Sequence, residues 1–150
     1  MDSFSTLVKP RKNPKLSDYF VQLTKITQQQ VDAEGKPFEL ALQDFLAFAE
    51  GGALPMWGYG KSDGAVMEET ARVQDVEFNR DAIFANGLNN IRPIFGRCGL
   101  EPWKWTSGSI HRALGLDMGK NHVHNALFDV RSLRVTLAEL HRRDDPECGV

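Results

Sequence analysis

The chain has 150 residues, with 18 Lys and Arg against 20 Asp and Glu and a formal charge of −2. That length supports one hydrophobic core and a single domain over 1–150, and the near-neutral charge excludes nucleic-acid capture by bulk charge; only a local basic strip or bound metal ions would serve. Two cysteines, Cys98 and Cys148, lie far apart with no CxxC spacing, and no run of 18 apolar residues or charged leader occurs. The expectation is a reduced cytoplasmic chain without disulfides, export signal or membrane span.

In "SFSTLVKP", Phe4, Thr6 and Val8 alternate with smaller or polar neighbours and Pro10 stops the run, which predicts a strand over Ser5–Val8. "RKNPKLSDYF" surrounds two prolines with Lys9, Arg11, Lys12 and Lys15 and reads as a solvated loop, with phosphate contact as the functional alternative. Thr27 and Gln30 form a capping box ahead of the helix stop Gly35. The next helix begins at Pro37 and aligns Phe38, Leu42, Phe45 and Ala49 on one face, the pattern of a helix lying on a sheet.

"ALPMWGYG" is apolar, short and bounded by glycines, so a buried strand is predicted there, followed by a helix through "DGAVMEETARV" that meets the strand at Asp63. The stretch 74–105 mixes glycine, proline and aromatics and predicts loops with a short helix near "NNIRPIF". "SGSIHRALGL" reads as a brief capped helix. "NALFDVRSLRVTLAEL" is the strongest helix, with an apolar stripe of Ala126, Val130, Leu133, Leu137 and Leu140, and residues 141–150 read as a frayed tail.

Three polar residues stand out. Asp129 lies at the margin of the last helix's apolar stripe, where a carboxylate needs a cation, a metal or an ion-pair partner because desolvating it alone is costly. His124 precedes that helix and has a reference pKa suited to general-base work. Asp63 sits at the carboxyl end of the predicted strand and the mouth of a helix, a place where α/β folds build sites and where a helix cap is the bland alternative. A Walker loop would need glycine at Pro55, and a dinucleotide fingerprint would need it at Asp63, so both phosphate-loop readings fail. A zinc site from His111, His122, His124 and Cys98 has no spacing to fix its geometry.

The succession "FSTLVKP", "NPKLSDYFVQLTKITQQQVD", "MWGYGKSD" and "HNALFDVRSL" resembles the DEDDh 3′-to-5′ exonuclease family, which includes ribonuclease T and the proofreading subunits of replicative polymerases. The resemblance implies an α/β ribonuclease H-like fold, a mixed sheet flanked by helices. It also implies Asp63 and Asp129 as carboxylate ligands of a two-ion Mg²⁺ or Mn²⁺ centre, and His124 as the general base. Lys9, Arg11, Lys12, Trp57 and Tyr59 would then contact single-stranded DNA or RNA.

The family's first motif, Asp-x-Glu on its first strand, would precede "SFSTLVKP", where only Met1 and Asp2 stand. The one Asp-x-Glu, Asp75 and Glu77, comes after the second motif in a predicted turn and is a poor substitute. The expectation is therefore an N-terminally truncated exonuclease fold, weak or inactive, with an unpaired strand that favours a homo-oligomer or strand-swapped dimer. The alternative is a non-catalytic nucleic-acid-binding or protein-interaction module in which Arg131 and Arg134 add to the basic segment.

Overall fold

A computed structural model describes residues 2–119, 125–143 and 148. The chain folds as two compact units, Met1–Asn90 and Ile91–Val150.

The first unit is built on a short parallel pair of strands joined through a helix. Strand β1 (Met56–Gly58) pairs with β2 (Leu88–Asn90) in the register Met56 to Leu88, Trp57 to Asn89 and Gly58 to Asn90. Parallel strands need a long crossover, and here it contains α4 (Ser62–Gln74) and the single turn α5 (Arg80–Ile83). Within the same unit three helices precede the strand pair: α1 (Asp18–Thr24), α2 (Gln28–Glu34) and α3 (Phe38–Phe48). The α2 capping box forms as its sequence predicts, with Thr27 Oγ1 accepting from Gln30 N and Gln30 Oε1 accepting from Thr27 N.

The apolar face of α3 supplies the core. Phe38, Leu42, Ala71 and Ile83 are buried together, with Val8, Phe45, Met67, Phe78 and Phe84 packed around them. This is the stripe expected for α3, closed on its other side by α4.

Two local expectations change. Residues read as the end of a solvated loop start α1, because Ser17 Oγ accepts from Phe20 N and caps it. The strand expected at Ser5–Val8 is reduced to one parallel bridge, Val8 with Lys36. Its neighbour is the turn after α2 and not another strand, so the ladder goes no further.

The second unit packs α6 (Arg92–Arg97), a 3₁₀ turn at Ile110–Leu114 and α7 (Ala126–Arg143) around Ile91, Phe95, Leu100, Ile110 and Leu140. Asn125 caps α7, its Oδ1 accepting from Phe128 N. The buried face of α7 is Ser132, Thr136 and Leu140. The predicted stripe is therefore rotated, and Val130 is 59% exposed. Its polar members are satisfied in place: Thr136 Oγ1 donates to Ser132 O, and Ser132 Oγ bonds His111 Nδ1 at 2.8 Å.

Cys98 and Cys148 form a disulfide with their Cα atoms 4.3 Å apart, which overturns the expectation of free thiols. Separation in sequence concealed their proximity in space. No helix among the described residues is long and apolar enough to cross a membrane.

The disulfide closes a loop whose ends lie 50 residues apart, which by chain entropy stabilises the fold by about 4 kcal/mol. Urea melts with and without reductant, repeated on Cys98→Ser, should show that loss. An unchanged midpoint would remove the bond from the stability of this unit.

Candidate functional site: two carboxylates seated on glycine backbone

Asp63 lies in the first turn of α4, one residue into the helix from its start at Ser62. The N-cap is Lys61, which makes no side-chain cap bond, so Asp63 is not the cap that its position in sequence allowed. The partial positive charge of the helix N-terminus favours a carboxylate there. Its Oδ2 rests on the backbone of Gly58, the buried last residue of β1, so closely that a Cβ at position 58 would overlap it. The strand end and the helix start thus hold one carboxylate between them, and Asp63 remains exposed to solvent.

Asp129 lies in the first turn of α7. At about 100° per residue it stands within roughly 60° of Ser132, Thr136 and Leu140, so it opens the buried face and does not lie at the margin of an apolar one. Its Oδ2 accepts from Ser107 Oγ at 3.0 Å. Its Oδ1 sits on buried Gly108, where a Cβ would again overlap the oxygen. The turn carrying both residues is fixed by Thr106 and Ser109, whose backbone and hydroxyl groups bond each other.

His111 follows this turn and is 2% exposed. Its Nδ1 meets Ser132 Oγ, and its ring stands edge-on to Phe128 at 6.1 Å. Burial lowers its pKa below the ordinary 6.5, with Arg112 adding to the effect. The disulfide removes Cys98 from the imagined zinc set. Nothing in the sequence pairs His111 with Ser132, since the contact crosses 21 positions.

The basic segment runs beside α4. Arg11 Nη1 donates to Gln74 O at 2.6 Å, which places its charge at the C-terminal end of the helix. Lys12 is exposed and close enough to Glu69 to help hold that carboxyl below its usual range, an effect due first to Arg72. Lys9 is exposed while its backbone N donates to Lys36 O. Trp57 is 51% exposed, and Tyr59 is partly buried. His124 and His122 lie outside the described residues. Asp75 is the left-handed C-cap of α4, consistent with its reading as a turn residue.

Hard carboxylate oxygens suit Mg²⁺ or Mn²⁺, but such ions demand a near-complete oxygen shell. Among the described residues no three His, Cys, Asp or Glu side chains are grouped to hold a metal. The described donors do not amount to a metal centre, and no chemical step is derived through one.

Two measurements test this arrangement. Ser107→Ala and Gly108→Ala should each lower stability by about 1–3 kcal/mol, the first by removing the donor to a half-buried carboxylate and the second by overlap; neutral urea midpoints for both would show that Asp129 is not held this way. His111 binds its proton more weakly folded than unfolded, so its contribution is complete above pH ~6.5 and is lost as pH falls below that value. His111→Gln should flatten the fall in urea midpoint between about pH 7 and 5, and an unchanged slope would assign the fall elsewhere.

Comparison with known proteins sets these features in a fold. Residues 1–59 match the family model of the exonucleases, RNase_T. No curated protein matches the sequence. Solved structures do: a 3′-exonuclease recognising the 3′ end of a histone mRNA stem-loop and the nuclease domain of 3′hExo, a DEDDh family member bound to rAMP, each have a TM-score of 0.76 at 22% identity over 95% of this chain. A full-length 3′-exonuclease gives 0.73 at 20% identity over 96%. The chain spans 65%, 72% and 48% of those three chains respectively. The fold is thus the ribonuclease H-like fold of the DEDDh 3′-exonucleases, with helices dominating a small parallel sheet, and the first 59 residues carry the exonuclease family's sequence pattern.

Proposed function

We propose that this chain is a 3′-exonuclease-type domain that engages the 3′ end of single-stranded DNA or RNA and hydrolyses it weakly or not at all. The observation that carries the reading is the pair of carboxylates, Asp63 and Asp129, each fixed on glycine backbone at the first turn of a helix within the DEDDh exonuclease fold. Rigid seating of this kind suits a group that meets a ligand. A purely solvating aspartate needs none of it.

In this proposal the exposed Lys9 and Lys12 take backbone phosphates, and Trp57 with Tyr59 offers ring faces to unstacked bases. Arg11 supports them from its place at the end of α4, about 16 Å along the helix from Asp63. Its guanidinium is partly committed to Gln74, so Lys9 and Lys12 carry more of the phosphate binding. By the family resemblance, His124 would be the general base and Asp63 and Asp129 carboxylate ligands of Mg²⁺ or Mn²⁺, and no step is routed through these residues. The non-catalytic reading is favoured by one observation, the lack of a three-donor cluster among the described residues.

The test uses 5′-labelled single-stranded DNA and RNA, with binding measured in chelator and cleavage in Mn²⁺. Binding should persist in chelator and weaken with salt, the logarithmic slope falling by ~0.7 for each of Lys9→Ala and Lys12→Ala. Stepwise 3′ shortening, if the chain retains it, should be slow and vanish in Asp129→Asn. No binding at low salt by the folded chain would sink the proposal.

A further inference from the structure

The outer face of α7 carries a row of arginines from its second turn to its last. At about 100° per residue, Arg131, Arg134, Ala138 and Arg142 fall within roughly 80° of one another, opposite the buried Ser132, Thr136 and Leu140. All four are exposed, and at ~1.5 Å per residue the row extends about 16 Å. Ala138 keeps its middle shallow, so a chain laid along the row can approach the helix closely there.

The two ends of the row differ in how their charge is met. An exposed arginine on a helix is stabilised by a carboxylate three or four positions away, as Arg72 is by Glu69 and Arg142 by Glu139. Arg131 has Leu127, Phe128, Arg134 and Val135 at those positions, so its charged neighbour on the helix is a second arginine. Like charges at this spacing are destabilising. Among the described residues Arg131 forms no ion pair. Asp129 stands about 160° around the helix from it, on the side that meets Ser107 and Gly108. The row is therefore a surface apart from the candidate site, within the same unit.

We propose that this row is a second nucleic-acid contact, where a phosphodiester backbone lies along Arg131, Arg134 and Arg142. The strand whose 3′ end is engaged on the Asp129 side reaches it by passing round α7. This rests on the reading of the chain as an exonuclease-type domain and adds a requirement of length to it. A polyphosphate fits because its charge repeats along a line, as the arginines do, and because a guanidinium takes phosphate oxygens through paired N–H donors. The way round a helix about 10–12 Å across is long, so a strand of a few nucleotides stops short of the row and a longer one does not.

The test compares the salt dependence of binding for 5′-labelled single strands of about four and about twenty nucleotides, in chelator. For the full chain the longer strand should have the steeper logarithmic slope. Arg131→Gln and Arg134→Gln should each take ~0.7 from that slope, bringing it toward the slope of the shorter strand, and weaken the longer strand about threefold at low salt. Arg97→Gln removes the same charge from an exposed site in the last turn of α6 and should leave the slope as it was. In the unsubstituted chain, where no variant can disturb the fold, the longer strand should protect Arg131 from phenylglyoxal, read by peptide mass mapping. Binding of the longer strand that is indifferent to both substitutions, with Arg131 still modified, overturns this proposal and leaves the exonuclease-type reading standing. A folded chain that binds neither strand overturns both. Poly-glutamate binding that depends on Arg131 and Arg134, where nucleic-acid binding does not, assigns the face to an acidic protein and likewise overturns the proposal.

Discussion

The seating of both carboxylates, Asp63 and Asp129, depends on backbone being bare in two places. At Gly58 and at Gly108 a carboxylate oxygen occupies the space that any other residue would fill with its Cβ. A carboxylate held this closely loses rotamer freedom and some water, and the loss must be offset locally. For Asp63 the offset is solvent access and the helix N-terminus; for Asp129 it is the Ser107 hydroxyl together with a helix N-terminus. The two sites solve one problem differently, and the difference follows from burial.

What the sequence discloses divides along the same line. Helices α2 and α3 are legible because their signals are local: a capping box four residues long, and an apolar stripe that becomes the core. The strand β1 and the placement of Asp63 at the strand–helix junction are legible for the same reason. Strand β2 is not, since Leu88–Asn90 holds three residues with two asparagines and gains its identity only from pairing with β1. The face of α7 misleads in an instructive way. Counting apolar residues selects Val130, yet the helix buries Ser132 and Thr136, because one hydroxyl bonds the helix's own carbonyl and the other finds His111. Hydrophobic periodicity reads burial only where burial is apolar, and Asp129 belongs to the polar exception. Ser107, Gly108 and His111 could not be singled out beforehand, because their importance lies in contacts across about 20 positions.

Charge tells a similar story at the level of the whole chain. A net of −2 hides a segment in which every charged side chain from Lys9 to Lys15 is positive. That segment is laid beside α4 by one hydrogen bond, Arg11 to the carbonyl of Gln74, so a cation satisfies the helix's C-terminal end while a carboxylate occupies its N-terminal end. The helix is thereby both an element of the crossover and a spacer between opposite charges. A ligand that is anionic along its length and reacts at one end matches that spacing better than a small symmetric anion does.

A two-stranded sheet is marginal by itself, and the apolar core of the first unit is built instead where α3 meets α4 and α5, from Phe38, Leu42, Ala71 and Ile83. The N-terminal segment bridges to Lys36 and not to either strand. The hydrogen bonds of β1, whose last residue supports Asp63, are independent of that bridge. Lys9 joins the two features, contributing its amide to the bridge and its ammonium to the basic strip.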